Sequence, residues 1–426
     1  CIGTMLFTSI YGIVDGLCVS NFVGKTAFAA VNLIMPLPML LGTIGFMLGT
    51  GGSAIVGITL GEGDQKKADR YFTLFLLAAL VSVSVLAVLG IVFLRPIAVL
   101  LGAKGELLDY AVRYGRILMV SLPTFALQNM FQSFFVTAEK PHLGFWFTVG
   151  AGCTNMVLDV LMVGIWGWGV EGAAIATFIS QLVGGVLPVF YFIDRSNTSR
   201  LHLCQTKVYG GVLRDACING SSELMTNLSM SLVNILYNYQ LLRLAGENGV
   251  AAYGVIMYAA FLFVAVFVGY AVGSAPIVSF HYGARNHAEV HNLYRKSLRL
   301  IAVVAVTLTL ASMFIIPCVA RVFVGYDAEL LALTSRAFRL YALSFLIMGF
   351  NVYASSFFTA LGDGVTSALI SFLRTLAFQV IAILLLPMLL GIDGIWLAVT
   401  AAELAALAVS AAMLLTKDKV FHYRKA

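Results

Sequence analysis

The feature that most constrains this chain is the recurrence, from end to end, of uncharged apolar runs such as residues 72–94 and 301–318. A run of about 20 apolar residues, rising 1.5 Å per residue as a helix, crosses a ~30 Å hydrocarbon core. Only 11% of the residues are charged, against about 25% in soluble domains. The runs lack the polar–apolar alternation of an outer-membrane barrel. The fold class expected is therefore all-α polytopic, with twelve transmembrane helices at 2–23, 27–60, 71–94, 114–138, 142–166, 170–193, 216–243, 249–281, 297–324, 337–361, 364–390 and 394–416. Pro36, Pro38, Pro123, Pro188, Pro276, Pro317 and Pro387 are candidate kinks, which membrane helices tolerate where freed carbonyls find new partners. The chain opens on Cys1 almost inside the first span, so a preceding segment is expected.

Sixteen basic loop residues fall on one side of this arrangement and nine on the other. The positive-inside rule assigns the richer side to the cytosol, and an even span count puts both termini there. The net charge of +6 is accounted for by these loops and does not indicate a nucleic-acid surface. The six cysteines are scattered with no CxxC spacing, and indicate neither a disulfide framework nor a metal site.

The chain also repeats itself. AIVGITLGEGDQKKADRYF (54–72) matches PIVSFHYGARNHAEVHNLY (276–294), and GVEGAAIA (169–176) matches GIDGIWLA (391–398), both at an offset of 222. AVRYGRI (111–117) matches AFRLYAL (337–343), and QSFFVTA (132–138) matches SSFFTAL (355–361). Matches in one order at nearly one offset divide the chain into a six-helix lobe at 1–193, a cytosolic linker at 194–215, a second six-helix lobe at 216–416 and a basic tail at 417–426. Six spans per half give both halves one orientation, so a pseudo-two-fold axis runs along the membrane normal, an arrangement typical of transporters.

Intramembrane polar residues then locate the chemistry, because a carboxylate in a span is expensive. Asp15 lies in YGIVDGLCVSN (11–21), about nine residues from the outer end of its span. Asp159 and Thr177 lie nine residues before and after Trp168, in the outer turn between the fifth and sixth spans. Nine residues are ~13 Å of helix, the middle of the core. Asn155 precedes Asp159 by four and shares its face. Carboxylate, amide and hydroxyl oxygens suit a small hard cation, and neighbouring carboxylates in a poor dielectric also take up protons. Asp15, Asn155, Asp159 and Thr177 are thus the expected ion-coupling set, for Na⁺, H⁺ or both. The 222 offset sends them to Tyr237, Ala377, Ile381 and Val399, so the second lobe keeps none of these ligands. It carries Glu223, Arg374 and Glu403 instead. Similar depths predict a Glu223–Arg374 ion pair, structural or substrate-coupled, and Glu403 is the counterpart of Gln181.

The glycine-rich GTIGFMLGTGGSAIVG (42–57) lacks the strand and the Gly-Lys-Ser/Thr ending of a phosphate loop, and reads as a close-packing helix face. No hydrolase-like set or HExxH motif is present, so no enzyme activity and no cofactor are expected.

These stretches resemble the multidrug and toxic compound extrusion (MATE) family. SIYGIVDGLCVSNFVG is similar to its opening helix with an acidic residue, LIMPLPMLLGTIGFMLGTGGSAIVGITLGEGDQKKA to its second span and loop, and SAPIVSFHYGARN to the matching loop of the second half. NMVLDVLMVGIWGWGVEGAAIAT carries its N…LD…G.GV.GAA.AT pattern. The resemblance implies two six-helix lobes around a V-shaped cleft and efflux of organic cations in exchange for Na⁺ or H⁺. In its DinF-like branch the first-lobe site corresponds to Asp15, Asn155, Asp159 and Thr177. In its NorM-like branch a second-lobe acidic pair serves, for which Glu223 matches the seventh-span member and Asp363 or Glu403 are the partners available. Phe46, Met47, Met257, Phe261 and Phe263 are candidate lining residues for an adaptable apolar cleft. A monomer in the inner membrane is expected, in contact with lipid. A lipid-linked precursor flippase of the same superfamily and a channel are the rival readings.

Overall fold

The computed structural model describes residues 1–10, 30–31, 33–194, 196–324 and 327–423. Asp15 lies outside the described residues. The chain divides into two compact units, residues 3–220 and 221–426.

In the first unit, α1 (residues 2–10) is followed by α2 (Pro36–Gly61), α3 (Gln65–Leu100), α4 (Glu106–Thr137), α5 (Pro141–Asp159), α6 (Gly169–Gly185), α7 (Leu187–Ile193) and α8 (Gly210–Asn219). Asp64 caps α3 by accepting the Lys67 N–H at 3.0 Å, and α3 outruns the expected span at both ends. Pro36 and Pro188 stand in the first turns of α2 and α7, where the missing N–H has no helical partner to lose. The glycines of α2 form a seam against α4: a Cβ at Gly42, Gly45 or Gly49 would meet Phe125, Ala126 or Met130 respectively. Phe72, Phe131, Phe134 and Phe192 fill the interior, with the Phe131 and Phe192 rings stacked at 5.6 Å. Residues 198–206 lie along the ends of these helices. The His202 N–H bonds the Asp69 carboxylate at 3.0 Å, the Cys204 N–H bonds Thr73 Oγ1 at 3.1 Å, and Arg200 pairs with Glu139 at 3.1 Å.

In the second unit the helical run Ser221–Gly283 breaks at Gly246 (φ 62°). Its arms are α9 (residues 221–245) and α10 (Asn248–Gly283). There follow α11 (His287–Val324), α12 (Ala328–Ala342), α13 (Phe345–Ala360), α14 (Gly364–Phe372), α15 (Phe378–Leu390), α16 (Ile392–Thr416) and α17 (Asp418–Phe421). The expected tenth span is two helices, α12 and α13, meeting at 46°. Tyr423 is fully buried, its hydroxyl bonding the Leu414 carbonyl and its own carbonyl meeting His291 Nδ1. Phe263 packs against Phe338 and Phe345 in this core, and Phe261 is exposed.

Eight helices among the described residues are long and apolar enough to cross a membrane, and the bent pair α12–α13 makes a ninth. The expected fourth and seventh spans correspond to α4 and α9. Most of the first falls outside the described residues.

The repeat recurs in conformation. Asp64 and Asn286 both cap the helix that follows them, and Gly63 and Arg285 before them both take positive φ. Gly169 and Gly391 both sit at φ 60°, in a region that favours glycine. A Cβ on Gly172 would press on the Met162 backbone, and one on Gly394 on the Leu386 backbone. Arg113 pairs with Glu171, and Arg336 with Asp393. That contact matches Arg113 to Arg336 and replaces the alignment of AVRYGRI with AFRLYAL, which had set it against Arg339.

Candidate functional site

α5 belongs to a 25-residue apolar helix that reaches Ile165. Its buried residues include Thr148, Ala151, Gly152, Asn155 and Asp159, which recur at the three- and four-residue spacing of one helix face. Asn155 is 2% exposed and Asp159 0%. Among the described residues the Asn155 Nδ2 has no hydrogen-bond partner, and a buried donor left so in apolar surroundings costs about 1–3 kcal/mol. Directly after Asp159 the helix widens into a π turn, Val160–Ile165. Such turns are rare, and they concentrate at functional sites. Trp166 and Trp168 follow, exposed, with ring centroids 5.2 Å apart, as expected of an aromatic belt at the membrane surface. Thr177 is half-buried on α6, which packs against α5. Asn155 and Asp159 therefore share a buried face, Thr177 lies on the adjoining helix, and Asp15 lies outside the described residues.

In the second unit the arrangement differs from the expected one. Arg374 Nη1 pairs with Glu403 Oε1 at 3.3 Å. Glu223 makes no ion pair within 4.0 Å among the described residues and lies within electrostatic reach of Arg374. The expected Glu223–Arg374 pair is thus corrected to Arg374–Glu403. Counting residues along a helix fixes depth but not direction around its axis, and Arg374 sits in a second π turn, Leu373–Ala377, which changes that direction. Asn351 on α13 completes the cluster: its Nδ2 donates to Glu403 Oε2 at 2.7 Å and to the Glu403 carbonyl at 2.9 Å. Glu403 and Asn351 are both 0% exposed. Asp363 stands apart from them, capping α14 and paired with Lys417 at 2.8 Å.

Sequence reasoning missed Asn351 and both π turns. The offset of 222 pairs Asn351 with Asn129, and that shared residue type was the available signal. A π turn leaves no comparable mark in the sequence.

Long apolar helices in two repeated units, with charged groups held at buried positions inside the spans, define a polytopic membrane transport protein. The MatE family matches the chain twice, over residues 1–161 and 224–385. The chain belongs to the MatE family, whose members are transporters rather than enzymes. It is 21% identical over 425 residues to the "Multidrug export protein MepA" of Staphylococcus saprophyticus, covering 98% of this chain and 92% of that protein. Among solved structures it is similar to "MATE in complex with MaL6", with a TM-score of 0.93 at 23% identity, over 100% of this chain and 95% of the other. It is also similar to the "Outward-facing conformation of a multidrug resistance MATE family transporter of the MOP superfamily", with a TM-score of 0.93 at 23% identity, over 100% and 94%. The fold is thus the twelve-helix fold of these transporters.

Proposed function

We propose that this protein is a secondary antiporter that exports small organic cations in exchange for Na⁺ or H⁺ by alternating access. It acts as a monomer in the cytoplasmic membrane with both termini in the cytosol, and Asp15, Asn155, Asp159 and Thr177 form its ion-coupling set. The observation that carries this reading is Asp159, a fully buried carboxylate inside an apolar membrane-crossing helix. A carboxylate in that position is costly, and such residues mark ion and proton pathways. Asn155, one turn away on the same buried face, offers an amide oxygen to the same cation. The export named for the staphylococcal relatives supports drug-like substrates.

In the proposed cycle the outward-facing state takes up the ion at Asp159 and Asp15. Neutralisation removes the cost of closing the site to water, the first lobe rearranges, and bound substrate leaves outward. The inward-facing state releases the ion and reloads with substrate from the cytosol or inner leaflet. The test is efflux of a fluorescent organic cation from proteoliposomes under separate Na⁺ and pH gradients. Asp159→Asn and Asp15→Asn are expected to abolish gradient-driven efflux while leaving the fold intact, and the effective gradient names the ion. Efflux at wild-type rate in Asp159→Asn refutes the site. Absence of cation transport in folded wild-type protein refutes the substrate class and directs attention to lipid translocation.

A further inference from the structure

The two units treat equivalent positions in opposite ways. The offset of 222 that joins Gly169 to Gly391 also joins Gly152 to Arg374, Gln181 to Glu403 and Asn129 to Asn351. In the first unit these positions are neutral, and Asn129 Nδ2 and Gln181 Oε1 are buried without hydrogen-bond partners among the described residues. In the second unit, Gly and Gln are replaced together by Arg and Glu, and the two new charges meet at 3.3 Å. Gly152 lies on the buried face of α5, one turn before Asn155. Arg374 therefore stands on the equivalent helix, one turn before the position equivalent to Asn155.

The guanidinium is incompletely used. Its side chain is 12% exposed, one nitrogen meets Glu403, and Nε is buried with no partner among the described residues, although the group carries five donors. Asn351 Oδ1 is likewise buried and, among the described residues, unpartnered. Glu223 adds a second carboxylate within electrostatic reach of the same guanidinium. With Arg374 taken away, what remains at its place is the Glu403 carboxylate and the Asn351 amide oxygen, both on residues 0% exposed, oxygen donors of the kind that a small hard cation takes.

We propose that Arg374 is a resident counter-cation. Its guanidinium permanently holds, against Glu403, the positive charge that a transported ion brings to the first unit, so the second unit binds no ion of its own. This rests on the first-unit reading for the comparison between units, whereas the second-unit assertion stands by itself.

The test counts cations bound to purified full-length protein, as radiolabelled Na⁺ bound and protons taken up per chain. An Asp159→Asn background silences the first unit. Adding Arg374→Gly, the residue of the first unit, is expected to create one further cation site per chain. Glu403→Gln in the same chain removes that site again, free guanidinium competes for it, and Arg374→Lys does not create it. A folded Arg374→Gly protein that binds no additional cation overturns the proposal. Should Arg374→Gly not fold, Glu403→Gln alone decides: the ion count of the otherwise wild-type protein is expected to stay unchanged, and loss of an ion overturns the proposal. Failure of the first-unit reading is visible separately, as an ion count that Asp159→Asn does not alter.

Discussion

Substituting Gly45 by alanine tests whether α2 and α4 are held together by backbone contact. A Cβ at residue 45 would lie 2.6 Å from the Ala126 Cα, 2.8 Å from its carbonyl carbon, and closer still to its carbonyl oxygen. All three are backbone atoms, so no rotamer change relieves the clash, and the helices must part by roughly an ångström to restore ordinary carbon–carbon separation near 3.5–4.0 Å. Overpacking of this kind costs about 1–3 kcal/mol. The better helix propensity of alanine returns roughly 1 kcal/mol, and because the obstacle is rigid the net loss is expected at about 1–2 kcal/mol. Gly150→Ala is the matched control: its nearest neighbour, Val183 Cγ1, is 3.8 Å away, so propensity acts alone and the change is stabilising by up to about 1 kcal/mol. The assay is the unfolding midpoint of both variants and wild type in the same detergent. A Gly45→Ala protein at least as stable as Gly150→Ala refutes the argument from close helix approach.

Asn351→Ala removes one hydrogen bond to the Glu403 carboxylate and one to its backbone carbonyl, and is expected to cost about 2–4 kcal/mol. Its repeat counterpart, Asn129→Ala, removes a side chain whose Nδ2 has no partner among the described residues and should cost under about 1 kcal/mol in the same unfolding assay. Asp363 predicts an acid-labile contribution. Burial alone would raise its carboxyl, but hydrogen bonds from Lys417 and Thr366 hold it below the usual range. A depressed folded value stabilises above the unfolded value, near pH 4, and is lost as the pH falls through the folded one. Asp363→Asn should therefore be less stable than wild type at neutral pH, and the two unfolding midpoints should converge below about pH 4.

What the sequence made legible was periodic or punctual. Apolar run lengths gave the helices, and the match of GVEG with GIDG recurs in the structure as glycines at the same φ. The i, i+4 spacing of Asn155 and Asp159 put both on one buried face. The glycine seam of α2 was readable because small residues recur where α4 approaches. What stayed hidden depended on direction around a helix axis. Depth alone set Glu223 against Arg374, whereas the guanidinium turns to Glu403. The alignment of Arg113 with Arg339 failed for a related reason: two arginines three residues apart on α12 look alike in sequence, and it is Arg336 that pairs with Asp393.

The π turns have a consequence for ancestry and for engineering. Each inserts one surplus residue into a helix, but on opposite sides of the equivalent level: after Asp159 in one copy, and before Ile381 in the other. Between those points the copies are out of phase by about a quarter turn, since one residue advances a helix by about 100°. The outcome is visible in Ile381, which is 52% exposed where its counterpart Asp159 is fully buried. Duplicated halves that diverged only by side-chain replacement can be interconverted by replacing side chains. These cannot: writing Asn and Asp at 377 and 381 would leave the carboxylate on the exposed side of the helix, and shifting the surplus residue along the helix is what would turn it inward.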